Sequence, residues 1–180
     1  MFSGKSEELI RRLRRAQIAK QKVLTLKHQL DNARVLNHVA SHNGSKLDAQ
    51  PIASVDSILE LAIVNGINVV GIDEIQFFNK EIIPVICALI EIGKKVIVAG
   101  LDLDFKAMPF GCMPTLLAIA DNVTKLQAIC TNCGHDAHFT QRLVDGNPAN
   151  HDAPIICVGA QEQYQARCRS CYTIDKMPSF

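Results

Sequence analysis

The chain of 180 residues is 48% hydrophobic and 21% charged, and its 19 Lys plus Arg against 18 Asp plus Glu leave a formal charge of +1. This is the composition of a globular domain, which excludes disordered, collagen-like and low-complexity classes and any global field drawing the protein to nucleic acid or an anionic membrane. A chain of this length buries roughly 70% of its unfolded surface, enough to fold without disulfides.

The opening MFSGKSEELIRRLRR carries charges where a signal peptide needs an apolar stretch of about 7 to 15 residues, which predicts a cytoplasmic protein. Residues 6–21 form an amphipathic helix, with Leu9, Ile10, Leu13, Ala16 and Ile18 at helical spacing and Arg11, Arg12, Arg14 and Arg15 between them. A short apolar strand over 23–26 follows, and residues 28–50, polar and without a sustained period, read as a long loop. Ser54 is placed to cap a helix running to Asn65, with Gly66 just past its end. Residues 67–72 make a buried strand ending in Asp73 and Glu74. Residues 80–92 are helical up to Gly93, and 95–101 form a second uninterrupted apolar strand. Pro114 opens a short helix to Asp121, and 123–129 complete another strand. Strands apolar on both faces and separated by helices imply an α/β fold with a parallel sheet. The longest apolar run, 82–92, is broken by Pro84 and Glu91 and falls short of the ~20 residues of a membrane span, so no membrane partner is expected.

Composition shifts at Cys130, beyond which Gly, Pro, Asn, Cys and His become frequent and helical period disappears, the pattern of a small β-rich or loop-rich subdomain. The cysteines number seven, an odd count that fits a secreted disulfide framework poorly. Cys130 and Cys133, then Cys168 and Cys171, form two CxxC pairs, and two such knuckles close a tetrahedral four-sulfur zinc site with no open position. The alternative is a chance spacing of reduced thiols. Cys87, Cys112 and Cys157 lie in apolar surroundings and read as packing residues.

Ser3, Gly4, Lys5 and Ser6 open the first helix as the second half of a phosphate-binding GxxxxGK[ST] loop, in which backbone N–H groups cradle phosphates, the Lys reaches the β and γ oxygens and the hydroxyl holds Mg²⁺. Its partner is VVGIDE, an apolar strand ending in carboxylates. Asp73 is placed for the Mg²⁺ shell and Glu74 for a general base, because ligands of open α/β sheets bind at the C-terminal ends of the strands. Two solvated turn carboxylates are the plainer alternative. The four arginines of the first helix suit a solvated face. From Cys130 to Cys171 the net charge is −1, unlike a nucleic-acid zinc module, so no nucleic-acid partner is expected.

The segments FSGKSEELIRRLRRAQ, VVGIDEIQFF, VIVAGLDLDFKAMPFG, CTNCGHDAHFTQRL and YQARCRSCY together resemble the cytosolic, zinc-containing (type II) thymidine kinases over nearly the whole chain. The resemblance implies a P-loop α/β domain over 1–129 and a zinc-binding lasso subdomain with a short tail over 130–180. It implies ATP-dependent phosphorylation of thymidine in nucleoside salvage, structural Zn²⁺, Mg²⁺ with ATP, a homotetramer, and feedback by thymidine triphosphate. Ser3, Gly4, Lys5, Ser6, Asp31, Asp73 and Gln76 become the ATP and Mg²⁺ contacts, and Glu74 takes the proton of the 5′-hydroxyl. Leu101, Phe105 and Phe110 become walls for the thymine ring, with ordinary core as the alternative. Thr140, Tyr164 and the backbone from Ile155 through Cys157 to Gly159 become substrate contacts of the lasso.

Two departures stand against this. The family pattern places a strand and a Gly-Pro pair ahead of Met-Phe-Ser-Gly-Lys-Ser, where this sequence starts, so the expectation is an incomplete phosphate nest and a sheet short of a central strand, its two neighbours unpaired. In DNAR, Asp31 to Arg34, Ala33 stands where the family has Arg. The rival expectation is therefore a catalytically impaired, N-terminally truncated remnant that binds zinc, and nucleoside or partner subunits, without phosphoryl transfer. An ATPase acting on nucleic acid is disfavoured by the acidic zinc segment.

Overall fold

A computed structural model describes residues 1–29, 38–40, 46–52, 54–156 and 163–174. The chain divides into two compact units, one comprising Gly4–Leu101 and Gly111–Asp121, the other Met1–Ser3, Asp102–Phe110 and Asn122–Phe180.

The first unit is built on a four-stranded parallel sheet in the order β4-β1-β5-β6, from β1 (Val23–His28), β4 (Gln50–Ile52), β5 (Val69–Asp73) and β6 (Lys95–Val98). β5 is buried at every position because it is paired on both edges and covered on both faces. Successive side chains of a strand point to opposite faces, and the packing follows that period. Val69 packs with Leu9, Leu13 and Ala16 of α1 (Lys5–Ile18). Val70 and Ile72 pack instead into the larger core with Ile58 and Ala62 of α2 (Asp56–Val64), Ile82, Ile86 and Leu89 of α3 (Ile82–Glu91) and Met113 and Leu116 of α4 (Met113–Ile119). Gly71 shares the α1 face with Val69. A Cβ there would lie 2.5 Å from Leu13 Cδ1, so only glycine lets the helix come this close to the sheet.

The expected class, a parallel sheet flanked by helices with a C-terminal cysteine cluster, is the one observed. Two local expectations need correction. Residues 28–50 are not one loop. They contain β2 (His38–Ala40) and β3 (Lys46–Asp48), an antiparallel pair, and lead into β4, the parallel partner of β1. Val39 and Ala49 are buried with Ile10, a packing that these short, half-exposed strands do not advertise as a period. Residues 123–129 are not a strand of the parallel sheet. Only β7 (Ala128–Ile129) forms, paired antiparallel with β8 (Asp136–Ala137), while Val123 and Leu126 are exposed. Among the described residues β4, β1, β5 and β6 pair in succession, and β6 lies at the edge of the sheet with β5 as its one strand partner. The helix expected from Ser54 begins at Asp56 with Val55 in the cap position, and Ser54 Oγ accepts the Asp56 N–H at 3.3 Å. Cys112 is buried as expected, whereas Cys87 on α3 is half-buried.

The second unit carries the β7–β8 pair and a three-stranded antiparallel sheet in the order β10-β9-β11, from β9 (Phe139–Val144), β10 (Asn147–Pro148) and β11 (Gln163–Arg167). Asp145 and Gly146 both take positive φ between β9 and β10, the backbone a two-residue hairpin turn requires. Phe139 and Tyr172 stack with centroids 4.9 Å apart, and Tyr172 Oη donates to the Phe105 carbonyl at 2.6 Å. No helix among the described residues is long and apolar enough to cross a membrane.

Candidate functional site

Gly4 adopts φ +77 as the cap of α1, which places Lys5 and Ser6 in the first turn, where helix N–H groups lack intrahelical partners. Asp73, the last residue of β5, follows Val69 and Gly71 at period two and so emerges on the α1 side. Ser6 Oγ donates to Asp73 Oδ2 at 2.8 Å. Asp73 is 4% exposed. Burial first, and the charge of Glu74 second, push its carboxyl up to about 7, against Ser6, the Glu74 N–H and Lys5, which favour the ionised form. A buried carboxylate beside a hydroxyl is a pair of hard oxygen donors in need of a positive charge. That donor set fits Mg²⁺, which binds one or two protein oxygens and fills its octahedron with water and phosphate.

Glu74 stands at φ +51, in the left-handed region that a residue with a Cβ rarely occupies, and its N–H donates to Asp73 Oδ1 at 3.0 Å. The chain then turns through the short 3-10 helix Ile75–Phe77. Gln76 is buried there, and its amide lies between Glu74 Oε2 (2.5 Å) and the Leu101 N–H (3.1 Å). Ser3 precedes this unit and belongs to the other one.

The four cysteines of the two CxxC pairs converge in the second unit. Their sulfurs all lie within 4.8 Å of one another, with Cys133 and Cys168 at 3.5 Å. Each pair folds as a tight turn: the Gly134 N–H donates to the Cys130 carbonyl with Gly134 at φ +77, and the Cys171 and Tyr172 N–H groups converge on the Cys168 carbonyl. The Thr131 N–H, donating to the Ala166 carbonyl, ties one knuckle to the strand that leads into the other. Burial raises the Cys130 thiol, but the N–H groups of Cys168, Asn132 and Cys133 outweigh it and bring it down to about 6. The His135 N–H favours the Cys133 thiolate, yet the sulfurs of Cys168 and Cys130 push that thiol up to about 12. A thiolate at Cys130 thus stands beside a Cys133 thiol that resists ionising, and a cation among the sulfurs would relieve that conflict. A tetrahedral zinc with Zn–S distances of about 2.3 Å fits this geometry.

The remaining expected residues are placed as follows. Leu101, the last residue of the Gly4–Leu101 segment of the first unit, is half-exposed and its N–H donates to Gln76 Oε1. In the second unit Phe105 is 5% exposed, with the Arg142 guanidinium over its ring at 4.8 Å. Phe110 is half-exposed and its N–H donates to the Asp102 carbonyl at 3.0 Å. Thr140 is buried and its Oγ1 accepts from the Met1 nitrogen at 2.8 Å. Ile155 is exposed, and Tyr164 is half-buried opposite Arg142 in the β9–β11 register. Asp31, Cys157 and Gly159 lie outside the described residues.

Arg142 was not singled out by its sequence. It is 2% exposed and Nη1 donates to the Pro154 carbonyl at 2.6 Å, joining β9 to the segment that begins the expected lasso. The only local signal is one Arg inside the strand pattern FTQRLV, and nothing in it says that the charge is buried. Asp104, also buried, accepts the Lys106 and Met108 N–H groups and so shapes the turn that presents Phe105. Compared with known families, residues 1–172 match the model described as TK: Thymidine kinase.

Proposed function

We propose that this chain, which belongs to the thymidine kinase family, transfers the γ-phosphoryl group of ATP to the 5′-hydroxyl of thymidine. The observation that carries the reading is the Ser6–Asp73 pair at the start of α1 and the end of β5, with Glu74 the next residue. In this reading Gly4 and the first turn of α1 receive phosphate oxygens, and Lys5 supplies the mobile positive charge beside them. Ser6 and Asp73 would hold Mg²⁺, which neutralises charge on the β- and γ-phosphate oxygens when bound. Glu74 accepts the proton of the 5′-hydroxyl as that oxygen forms its bond to the γ-phosphorus and the bond to the β,γ-bridging oxygen breaks, leaving ADP. Phosphoryl transfer of this kind needs positioning and fixed charge more than covalent help from the protein.

Leu101, Phe105, Phe110, Thr140, Ile155 and Tyr164 are assigned to the nucleoside, and one zinc on Cys130, Cys133, Cys168 and Cys171 holds the two knuckles together. A homotetramer working in cytoplasmic nucleoside salvage completes the proposal.

The test is formation of thymidine monophosphate and ADP in a one-to-one ratio from thymidine, ATP and Mg²⁺ by the purified chain, and its loss in Glu74→Gln. Thymidine that binds by calorimetry without being phosphorylated, or product formed equally well by Glu74→Gln, would overturn the assignment.

A further inference from the structure

Gln76 is 3% exposed and follows Glu74 by two residues, on the turn that leaves β5. Its carboxamide has two partners of fixed polarity. The Leu101 backbone N–H can only donate, so it must face the amide oxygen, Oε1, at 3.1 Å. That leaves the NH₂ end for Glu74, whose Oε2 accepts from Nε2 at 2.5 Å. The network itself therefore decides which way round the amide sits.

The room for this clamp is reserved by two glycines. A Cβ on Gly100 would come within 2.8 Å of Gln76 Oε1, and one on Gly111 within 2.6 Å of the Gln76 carbonyl oxygen. Glu74 meanwhile holds an unfavourable backbone angle, φ +51, which persists only where surrounding contacts over-determine it. The clamp on its carboxylate is one of those contacts.

We infer that Gln76 is the positioning residue for Glu74: it ties Oε2 to the β6 end of the sheet through Leu101 and leaves Oε1 to receive the proton of the substrate hydroxyl. An amide N–H cannot accept a hydrogen bond, so the proton taken up by Glu74 is carried on Oε1, the oxygen away from Gln76. The inference rests on the proposal that Glu74 is the base.

A kinetic double-mutant cycle on the full chain tests it, with Glu74→Gln and Gln76→Met as the two arms. Gln76→Met keeps length and removes both hydrogen bonds. It should lower kcat ten- to a hundredfold, the scale of a misplaced reacting group, with KM for ATP and thymidine within about twofold. In the Glu74→Gln background the same substitution should change kcat by less than about twofold, because a residue acting through Glu74 has nothing left to position. A full effect of Gln76→Met in both backgrounds overturns the inference while leaving Glu74 as the base. Wild-type kcat in Glu74→Gln alone overturns the assignment of the base instead. If Gln76→Met does not fold, Gln76→Glu serves in its place. It keeps an acceptor for Leu101 and replaces the donor facing Glu74 by an oxygen.

Discussion

Ser6 and Asp73, 67 positions apart in the chain, share a hydrogen bond of 2.8 Å. The bond follows from two periods. Ser6 lies in the first turn of a helix whose Leu9 and Leu13 pack down on β5, and Asp73 is in step with Val69 and Gly71 on the face those leucines cover. Shifting β5 by one residue would turn Asp73 to the other face and bring Glu74 into its place.

Asp73→Asn should separate stability from binding. The Asp73 carboxyl is raised to about 7 from an ordinary 3.8, so its folded-state pKa lies above its unfolded one. Its contribution to stability is then full below about pH 3.8 and lost as pH rises through about 7. Asparagine has no such cost. The melting temperature of the metal-free variant should therefore gain on the wild type as pH is raised from 5 to 8, while Mg²⁺-dependent ATP affinity falls by about tenfold or more. Thermal melts across that range and calorimetric titration with Mg·ATP measure the two effects.

One zinc ion per chain is expected in metal analysis of the purified protein. Replacing Cys168 by Ser should abolish stoichiometric zinc and lower the melting temperature, since the binding free energy of a structural zinc is in large part folding free energy. The stacked Phe139 and Tyr172 lie close in sequence to the knuckles, so the tyrosine near-ultraviolet signal should weaken with metal loss, whereas the helical far-ultraviolet signal should largely persist.

Gly71→Ala should destabilise the protein by roughly 1 to 3 kcal/mol, the usual cost of an added methyl in a packed interior. The added Cβ would meet Leu13 Cδ1 at 2.5 Å, and Leu13 is fully buried. Denaturant unfolding of Gly71→Ala, Leu13→Ala and the pair should show a double variant more stable than the sum of the single costs, because the truncated leucine vacates the space that the new methyl needs.

Tyr172 supplies a test at alkaline pH. Burial first, and Asp104 second, push its hydroxyl up to about 12 from an ordinary 10.0. With the folded pKa above the unfolded one, the stability it contributes is whole below about pH 10 and drains away as pH rises through about 12. Tyrosinate absorbance should show one of the two tyrosines ionising late, with unfolding in the same interval. Tyr172→Phe should remove that late step and cost about 1 kcal/mol by losing the bond to the Phe105 carbonyl.

The chain announces most plainly whatever depends on neighbours close in sequence. Two CxxC pairs, Gly-Lys-Ser at the head of an amphipathic helix and Asp-Glu at the end of an apolar run are local patterns, and each is found where its spacing placed it. The parallel sheet was legible for the same reason, since β5 and β6 are apolar runs bounded by helices. Other features turn on contacts across long separations. Nothing in residues 28–50 marks Val39 and Ala49 as partners of Ile10, and the apolar Val123 and Leu126 imitate a strand that never pairs. Gln76 has the composition of a polar turn residue. Only the approach of Leu101, 25 positions later, makes it a clamp on Glu74. Arg142 likewise gives no sign of its burial until β9 brings it over Phe105 and under the Pro154 carbonyl. A side chain's type and spacing state what chemistry it can perform, but burial and hydrogen-bond partners are properties of the space around it, and that space exists only once the distant strands have met.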